Sequence, residues 1–131
     1  MIEGSCDCGA ILLVLTETPG SATSCNCGYC RRVGALWAYG SAATIQVQGP
    51  TTAYRRAART QTLHHCPICG ATTHWEALAP AGHPEHGRRG VNLRLADPRQ
   101  VEDLAIEHLD GADSWRVIEP GERPAVPFFP G

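Results

Sequence analysis

The sequence predicts a single all-β domain with at most one short helix, and three observations support this fold class. The chain has 131 residues, which suffice for one domain but not for two of ordinary size. Its 14 glycines and 10 prolines make up an unusually large share, typical of a chain with many turns and short strands. Its seven cysteines are an odd number that disulfides cannot use completely, which raises the alternative of bound metal.

Short β-prone runs, separated by turn residues, follow one another along most of the chain. The runs 72–78 and 91–95 resemble the two strands of a hairpin with an unusually long connection, 80–90. One segment, 98–104, carries a helix signal, because Asp97 can cap a helix that begins at Pro98. The predicted strands are 10–15, 34–39, 45–48, 51–54, 60–65, 72–78, 91–95, 105–109 and 114–118.

Composition excludes some classes of function and indicates a compartment. All eleven basic residues are arginine, so Schiff-base chemistry on a lysine is excluded. A formal charge of −2 argues against non-specific nucleic-acid binding. The longest early apolar run, 11–15, is too short for a signal peptide or a membrane span, so we expect a cytoplasmic protein with no membrane partner and with reduced thiols. The domain is expected over 2–118, with 119–131 as a Pro-rich tail.

The cysteines fall into three groups by their spacing. The segment 66–70, C-P-I-C-G, has the form of a zinc knuckle, in which Pro stiffens the turn and Gly lets the backbone curl so that amides face the sulfurs. A knuckle supplies two ligands, whereas a closed zinc site needs four. The three groups are Cys6 and Cys8; Cys25, Cys27 and Cys30; and Cys66 and Cys69.

The most economical partition joins the first and last groups into a set of four and leaves a set of three. Cys6, Cys8, Cys66 and Cys69 would form a closed structural zinc site, whose alternative is a group of free buried thiols. Three ligands from Cys25, Cys27 and Cys30 would leave one position of a second zinc open, as in catalytic sites. The alternative for that set is a second structural zinc with a histidine as fourth ligand: His64, His65 or His74.

The order of these groups resembles the glutathione-dependent formaldehyde-activating enzyme family, which includes centromere protein V. The resemblance rests on G-S-C-D-C-G at 4–9, C-N-C-G-Y-C-R-R-V-G-A at 25–35 and C-P-I-C-G-A at 66–71. It covers about residues 2–118. It implies a fold of mainly antiparallel sheets, two zinc sites divided as above, and a carbon–sulfur lyase activity that adds glutathione reversibly to formaldehyde, giving S-hydroxymethylglutathione. One departure from the family pattern is Asn26, where a histidine is usual.

Other residues are candidates for the substrate side of the site. Arg31 and Arg32 could orient the carboxylates of a glutathione-like thiol through forked hydrogen bonds, unless they are ordinary solvated arginines. Three aromatic residues in predicted strands, Trp37, Tyr39 and Trp75, could line a cleft, although such residues more often pack in the core. The segment 83–86, H-P-E-H, does not match a zinc-protease helix and is predicted to be a polar surface loop.

The leading functional hypothesis is a zinc-dependent carbon–sulfur lyase-like enzyme. It would use two zinc ions per chain and act on glutathione or another small thiol together with a small aldehyde such as formaldehyde. Cys25, Cys27 and Cys30 would hold the catalytic ion. Two alternatives stay open: a zinc-binding interaction module, and a protein that buffers metal or thiol. A homodimer is also an expectation.

Overall fold

The computed structural model describes residues 1–56 and 60–128, and it confirms a single, mostly β domain. Two short helices are present, one more than the sequence predicts. The helices are α1 (Gly28–Val33) and α2 (Pro98–Val101), with a 3₁₀ turn at Leu93–Leu95. The strands are β1 (Ile2–Ser5), β2 (Leu12–Leu15), β3 (Ser21–Cys25), β4 (Leu36–Ser41), β5 (Ile45–Gln48), β6 (Thr52–Arg55), β7 (Gln61–His65), β8 (Thr72–Ala77), β9 (Arg88–Asn92) and β10 (Ala105–Leu109).

Two sheets form the domain. The larger has seven strands in the order β10-β3-β4-β9-β8-β7-β6, and the smaller has three in the order β1-β2-β5. All described strand pairs are antiparallel except β10 with β3, which is parallel. The expected hairpin of β8 and β9 is confirmed, but β9 begins three residues earlier than predicted, so the long connection is 78–87 rather than 80–90.

Strand alternation divides the side chains of the large sheet between two faces. One face carries Ala38 and Val91, which pack with Leu13, Leu15 and Ile45 of the small sheet in the main hydrophobic core. The opposite face carries the buried Trp37, Leu63 and Trp75 in a second apolar cluster. Successive side chains of a strand point to opposite faces, so neighbouring residues of β7 or β8 serve different surroundings.

Strands β1 and β3 are not among the predicted strands, and three further predictions about elements need correction. The run 114–118 is not a strand: turns occupy 111–114 and only one isolated bridge, between Val117 and Leu109, remains. Asp110 explains this, because its carboxylate accepts hydrogen bonds from the amide and the hydroxyl of Ser114 and so holds a turn.

The strand expected over 91–95 ends at Asn92 and continues as the 3₁₀ turn. The Asn92 side chain accepts a hydrogen bond from the amide of Arg94, which caps that turn. The third correction is helix α1, which the sequence did not predict. By contrast, the predicted cap of α2 is confirmed: Asp97 accepts from the amide of Arg99, and Pro98 occupies the first turn.

The segment that follows residue 118 packs on the domain as far as it is described. Phe128 meets His108 edge to face, with ring centroids 4.9 Å apart. The last part of the expected tail, 129–131, lies outside the described residues. Among the described residues, no helix combines the length and the apolar character needed to cross a bilayer.

Candidate metal centre and adjoining cavity

The structure brings the predicted set of four cysteines together at one point. Cys6 and Cys8 lie in the turn between β1 and β2, and Cys66 and Cys69 lie in the turn between β7 and β8. All four sulfurs lie within 4.8 Å of one another. The Sγ of Cys8 is 3.6 Å from the Sγ of Cys6 and 3.6 Å from that of Cys66. We refer to these residues as the four-cysteine cluster.

Both turns curl in the same way around their sulfurs. The amide of Cys6 donates to the carbonyl of Ile11, and the amide of Cys66 donates to the carbonyl of Ala71. In return, the amide of Ile11 points at the Sγ of Cys6 at 3.3 Å, and the amide of Ile68 points at the Sγ of Cys66 at 3.4 Å. Gly70 makes the second curl possible, because its φ of 79° lies in the left-handed region.

Backbone amides favour the thiolate at Cys6 and Cys69, whereas burial and the neighbouring thiols outweigh the amide of Ala10 and raise the pKa of Cys8 to about 11. The amides of Ala71 and Cys8 lower the pKa of Cys69 to about 6, against the opposing effect of burial. Burial raises the pKa of Cys6, but the amide of Ile11 and the neighbouring thiols outweigh it, so that this pKa lies below its ordinary value. Thiolates are the form that binds metal, so the cluster has the chemistry of a metal-binding site.

The second predicted set also converges, and we refer to it as the three-cysteine cluster. The Sγ atoms of Cys25, Cys27 and Cys30 lie within 4.8 Å of one another. Cys25 ends β3, and Cys27 is the N-cap of α1, where its Sγ accepts from the amide of Cys30 at 3.4 Å. The amide of Cys27 points at the Sγ of Cys25 at 3.5 Å. The start of helix α1 therefore brings the three sulfurs of the C-x-C-x-x-C segment together.

Two side chains from elsewhere in the chain also point at these sulfurs. The indole N–H of Trp37 donates to the Sγ of Cys30 at 3.3 Å, and Nη1 of Arg56 donates to the Sγ of Cys27 at 3.4 Å. The pKa of Cys27 lies far below its usual range, chiefly because the thiols of Cys25 and Cys30 donate to its sulfur, with the guanidinium of Arg56 assisting. Negative charge is thus concentrated on a sulfur that faces a permanent cation.

No histidine stands beside the three-cysteine cluster among the described residues. Leu63 faces the three cysteines, so the next residue, His64, faces the other side of the sheet. His74 lies opposite His64 on β8 and shares that other side, where burial lowers its pKa to about 3 and keeps it neutral. His65 does not line the cavity at the cysteines either. The alternative of a second structural zinc with a histidine as its fourth ligand therefore finds no support in the geometry of the described residues.

The three cysteines open on a small cavity of about 50 Å³. Trp37 and Trp75 are buried in the core and also line this cavity, while Tyr39 is 40% exposed at its edge. The complete lining is Cys25, Cys27, Cys30, Trp37, Tyr39, Arg56, Gln61, Leu63, Trp75, Leu109 and Trp115.

A larger cleft of about 450 Å³ borders this cavity. The two share Gln61, Trp75 and Trp115 in their linings. The connection 78–87 and the start of β9 supply the charged wall of the cleft, with His83, Glu85 and Arg88 among its lining residues. This connection is exposed and folded in turns, which agrees with the surface loop that the sequence predicts at 83–86.

The structure does not bring Arg31 and Arg32 to the cavity. Both are exposed, and Nη1 of Arg32 folds back onto its own helix to donate to the carbonyl of Gly28 at 2.7 Å. Their position on α1 directs them to solvent, and Arg56 is the arginine that lines the cavity. No local sequence signal distinguishes Arg56 from the neighbouring Arg55, so its position at the cavity is a result of tertiary packing.

A turn near the C-terminus supports the three-cysteine cluster from behind. Asp110 is 2% exposed and accepts from Nδ2 of Asn26 at 2.8 Å, and the amide of Ala112 donates to Oδ1 of Asn26 at 3.0 Å. The hydrogen bond from Asn26, together with those from the hydroxyl and the amide of Ser114, holds the pKa of Asp110 below its ordinary value. Asn26, which departs from the family pattern, thus links the segment that carries the three cysteines to this second turn through hydrogen bonds.

Two residues of the same turn are placed under tight constraint. A Cβ on Gly111 would lie 2.4 Å from the Sγ of Cys25, so no other residue fits there without displacement of the sulfur. Trp115 has a φ of 58°, an unfavourable conformation for a bulky residue, and its ring lines the mouth of the cavity although it is 68% exposed. No local sequence signal marks either Gly111 or Trp115 as part of the site, because both reach it through the turn that Asp110 holds.

Comparisons with known proteins agree with this geometry. Residues 1–98 match the family described as glutathione-dependent formaldehyde-activating enzyme. A crystal structure of a protein from Rhodobacter sphaeroides superimposes with a TM-score of 0.61 at 28% sequence identity, and the match covers 79% of this chain and 98% of that one. Comparison with the curated proteins gave no match.

Proposed function

Because the chain belongs to the glutathione-dependent formaldehyde-activating enzyme family, we propose that it catalyses the reversible addition of a small thiol such as glutathione to an aldehyde such as formaldehyde. The observation that carries the proposal is the three-cysteine cluster at the floor of a small cavity that borders a larger cleft. This combination offers one position for a small electrophile and another for the body of a thiol.

The donor sets fit zinc. Cysteine sulfurs with amide donors aimed at them are ligands that zinc prefers, and the four-cysteine cluster supplies the four ligands of a closed structural site. Cys25, Cys27 and Cys30 would hold a second zinc with one coordination position left for substrate. When bound there, zinc supplies a Lewis acid that polarises an oxygen or lowers the pKa of a thiol.

The volumes of the small cavity and of the larger cleft indicate which substrate each can hold. A volume of about 50 Å³ admits a one-carbon aldehyde but not a tripeptide. The cleft of about 450 Å³ lies in the range of small-ligand pockets and can take the body of the thiol. In the addition, the sulfur–carbon bond forms, the π bond of the carbonyl breaks, and the thiol proton ends on the new hydroxyl oxygen.

The chain's own residues position these groups. Gln61 lines both spaces and can donate its amide N–H to the aldehyde oxygen as negative charge develops there. Arg88 lies over the Tyr39 ring at 5.1 Å and bonds Glu85 at 2.8 Å, which holds its guanidinium at the wall of the cleft. Its remaining donors can bind a carboxylate of the thiol, which is the role that the sequence predicts for Arg31 and Arg32.

Exchange NMR between formaldehyde and glutathione tests the proposed reaction. We expect the zinc-loaded protein to accelerate interconversion of free and S-hydroxymethyl glutathione by at least tenfold over a buffer control. Cys27→Ser should abolish the acceleration and leave the fold intact, because serine still caps α1. A rate equal to that of buffer, with two zinc ions bound per chain, would refute the activity and favour a zinc-binding module.

Arg56 provides a second prediction, since it bonds the sulfur of Cys27 from outside the cluster. Arg56→Met should remove the positive charge that stabilises the thiolates, and outer contacts to metal ligands typically change affinity by about 10–100-fold. We expect the second zinc to be lost to a weaker chelator than in the parent protein, as followed by a colorimetric zinc indicator. Arg55→Met is the matched control, since Arg55 is exposed on β6. Equal zinc retention in both variants would contradict this role.

A further inference from the structure

Trp115 combines an exposed ring with a backbone conformation that bulky residues rarely adopt. It is 68% exposed, whereas Trp37 and Trp75 are buried. Its φ of 58° is the one positive φ at a non-glycine position among residues 1–56 and 60–128. An exposed ring gains little from burial that could offset this strain, and strained residues tend to cluster at ligand-binding sites. The core therefore does not explain why a tryptophan stands at this position.

Hydrogen bonds to one buried aspartate hold Trp115 in this conformation. The amide of Trp115 donates to the carbonyl of Asp110 at 2.8 Å, and the amide of Asp110 donates to the carbonyl of Arg116, also at 2.8 Å. The preceding residue, Ser114, donates its amide and its hydroxyl to the carboxylate of Asp110. The chain is thus fixed on both sides of Trp115, so the ring is presented by a hydrogen-bonded turn.

The same turn is connected to the three-cysteine cluster. Asn26 lies between the first two cysteines of that cluster, and its Nδ2 donates to the carboxylate of Asp110 at 2.8 Å. In the opposite direction, the amide of Ala112 donates to Oδ1 of Asn26 at 3.0 Å. These two bonds fix the turn, and with it the ring of Trp115, at a set position relative to the three sulfurs.

The ring of Trp115 stands where the small cavity opens into the larger cleft. The residues that line both spaces are Gln61, Trp75 and Trp115. The ring also comes close to the sulfurs: a Cβ on Gly111 would lie 3.5 Å from Cζ3 of Trp115 and 2.4 Å from the Sγ of Cys25. A molecule that reaches from the cleft to the three cysteines therefore has to pass along this indole.

Trp115 is also the aromatic residue at this entrance whose ring is left free for a ligand. The guanidinium of Arg88 lies 5.1 Å from the centre of the Tyr39 ring and 5.7 Å from that of the Trp75 ring, so it covers one face of each. Trp115 has no aromatic or cationic stacking partner among the described residues. A free indole face offers a large apolar contact area to methylene and planar amide groups.

We infer that Trp115 determines which thiols the site accepts, by binding the stem that joins the sulfur to the rest of the molecule. The inference rests on the proposed function, which places the sulfur at the three-cysteine cluster and the body of the thiol in the cleft. The preferred substrates are then peptide-like thiols, whose methylene and amide groups cover the indole. A two-carbon thiol such as 2-mercaptoethanol has too short a stem to do so.

Binding of S-methylglutathione to the zinc-loaded protein tests this contact without turnover, because the thioether has no thiol to react. We expect it to protect the fluorescence of Trp115 from quenching by acrylamide, a signal that is separable since Trp37 and Trp75 are buried. Trp115→Gly should weaken binding by about tenfold or more in calorimetry, the usual scale for a lost apolar contact. Val117→Ala is the matched control, since Val117 is exposed in the same segment but lines neither space.

Trp115→Gly also separates a role in binding from a role in folding. Glycine adopts a φ of 58° without strain, and the ring that it removes is mostly exposed. We therefore expect a thermal midpoint equal to or above that of the parent protein, with two zinc ions still bound. A lower midpoint with loss of zinc would show that the ring is structural and would overturn the inference.

A comparison of two thiols distinguishes failure of this inference from failure of the proposed reaction. The ratio of kcat/KM for glutathione to that for 2-mercaptoethanol, with formaldehyde, should fall by about tenfold or more in Trp115→Gly. An unchanged ratio, or S-methylglutathione that binds parent and variant equally or binds neither, would overturn the role of Trp115 and leave the reaction standing. Binding that Trp115→Gly weakens, in a protein that catalyses no exchange, would support the contact and refute the reaction.

Discussion

Replacement of Cys66 by alanine is expected to leave the chain without a stable fold. Cys66 is fully buried and packs in an apolar cluster with Cys6 and Ile11. In our proposal it binds the structural zinc that joins the β1–β2 turn to the β7–β8 turn. Zinc in such sites contributes about 10–16 kcal/mol, whereas a domain of this kind has a net stability of about 5–15 kcal/mol. Loss of the ion therefore removes about as much free energy as the folded state has.

Cys27→Ser is the matched control, because it removes one thiolate from the three-cysteine cluster instead. We expect Cys66→Ala to show a disordered circular dichroism spectrum and no cooperative thermal transition. Cys27→Ser should bind one zinc ion and keep a cooperative transition. A cooperative, folded Cys66→Ala chain would show that the sheets are stable without the four-cysteine cluster, and its sulfurs would then be better described as free buried thiols.

The division of the cysteines into four and three could be predicted because it depends on their spacing, which is read directly from the sequence. Closed zinc sites need four ligands, and only a division into four and three uses every group. The convergence of Cys6 with Cys66, 60 positions apart, then follows from ligand number alone. Most strands were predictable for a similar reason, since β-branched and aromatic runs between turn residues carry a local signal.

The elements that were missed lack such a local signal. Strand β3 has the sequence S-A-T-S-C, whose small polar residues show no apolar alternation, and it becomes a strand through pairing with β4 and β10. Helix α1 has only six residues and is capped by a cysteine, which is not a usual helix cap. The predicted strand 114–118 does not form, because the amide of Ser114 donates a hydrogen bond to the carboxylate of Asp110, which lies outside that run.

The site residues that come from distant parts of the chain could not be predicted from the sequence either. Arg56 and Gly111 meet the three-cysteine cluster only after the sheets have formed. The histidines illustrate the opposite case. His64 was a reasonable fourth ligand by composition, but once Leu63 faces the cavity the two-residue period of a strand directs His64 away from it. Here the position of Leu63 decides on which face of the sheet His64 lies, and so whether it can be a ligand of the three-cysteine cluster.

Gly111→Ala is expected to disable the three-cysteine cluster from a position that is not a ligand. The added Cβ would lie 2.4 Å from the Sγ of Cys25, a distance that carbon and sulfur do not tolerate. A free cysteine side chain could rotate away, but a sulfur that binds metal cannot move without losing its ion. The backbone cannot yield easily either, because the amide of Gly111 bonds the carbonyl of Leu109 at 2.9 Å, at the end of β10.

We therefore expect Gly111→Ala to weaken the second zinc by about 10–100-fold, the range for changes next to metal ligands, and to slow formaldehyde exchange in proportion. The four-cysteine cluster lies elsewhere, so one tightly held zinc and a cooperative thermal transition should remain. Gly20→Ala is the matched control, since its added Cβ meets nothing within 4 Å and its φ is not left-handed. If Gly111→Ala retained two tightly bound zinc ions and full exchange activity, Cys25 would not be a ligand, and the open site would have to be built from other groups.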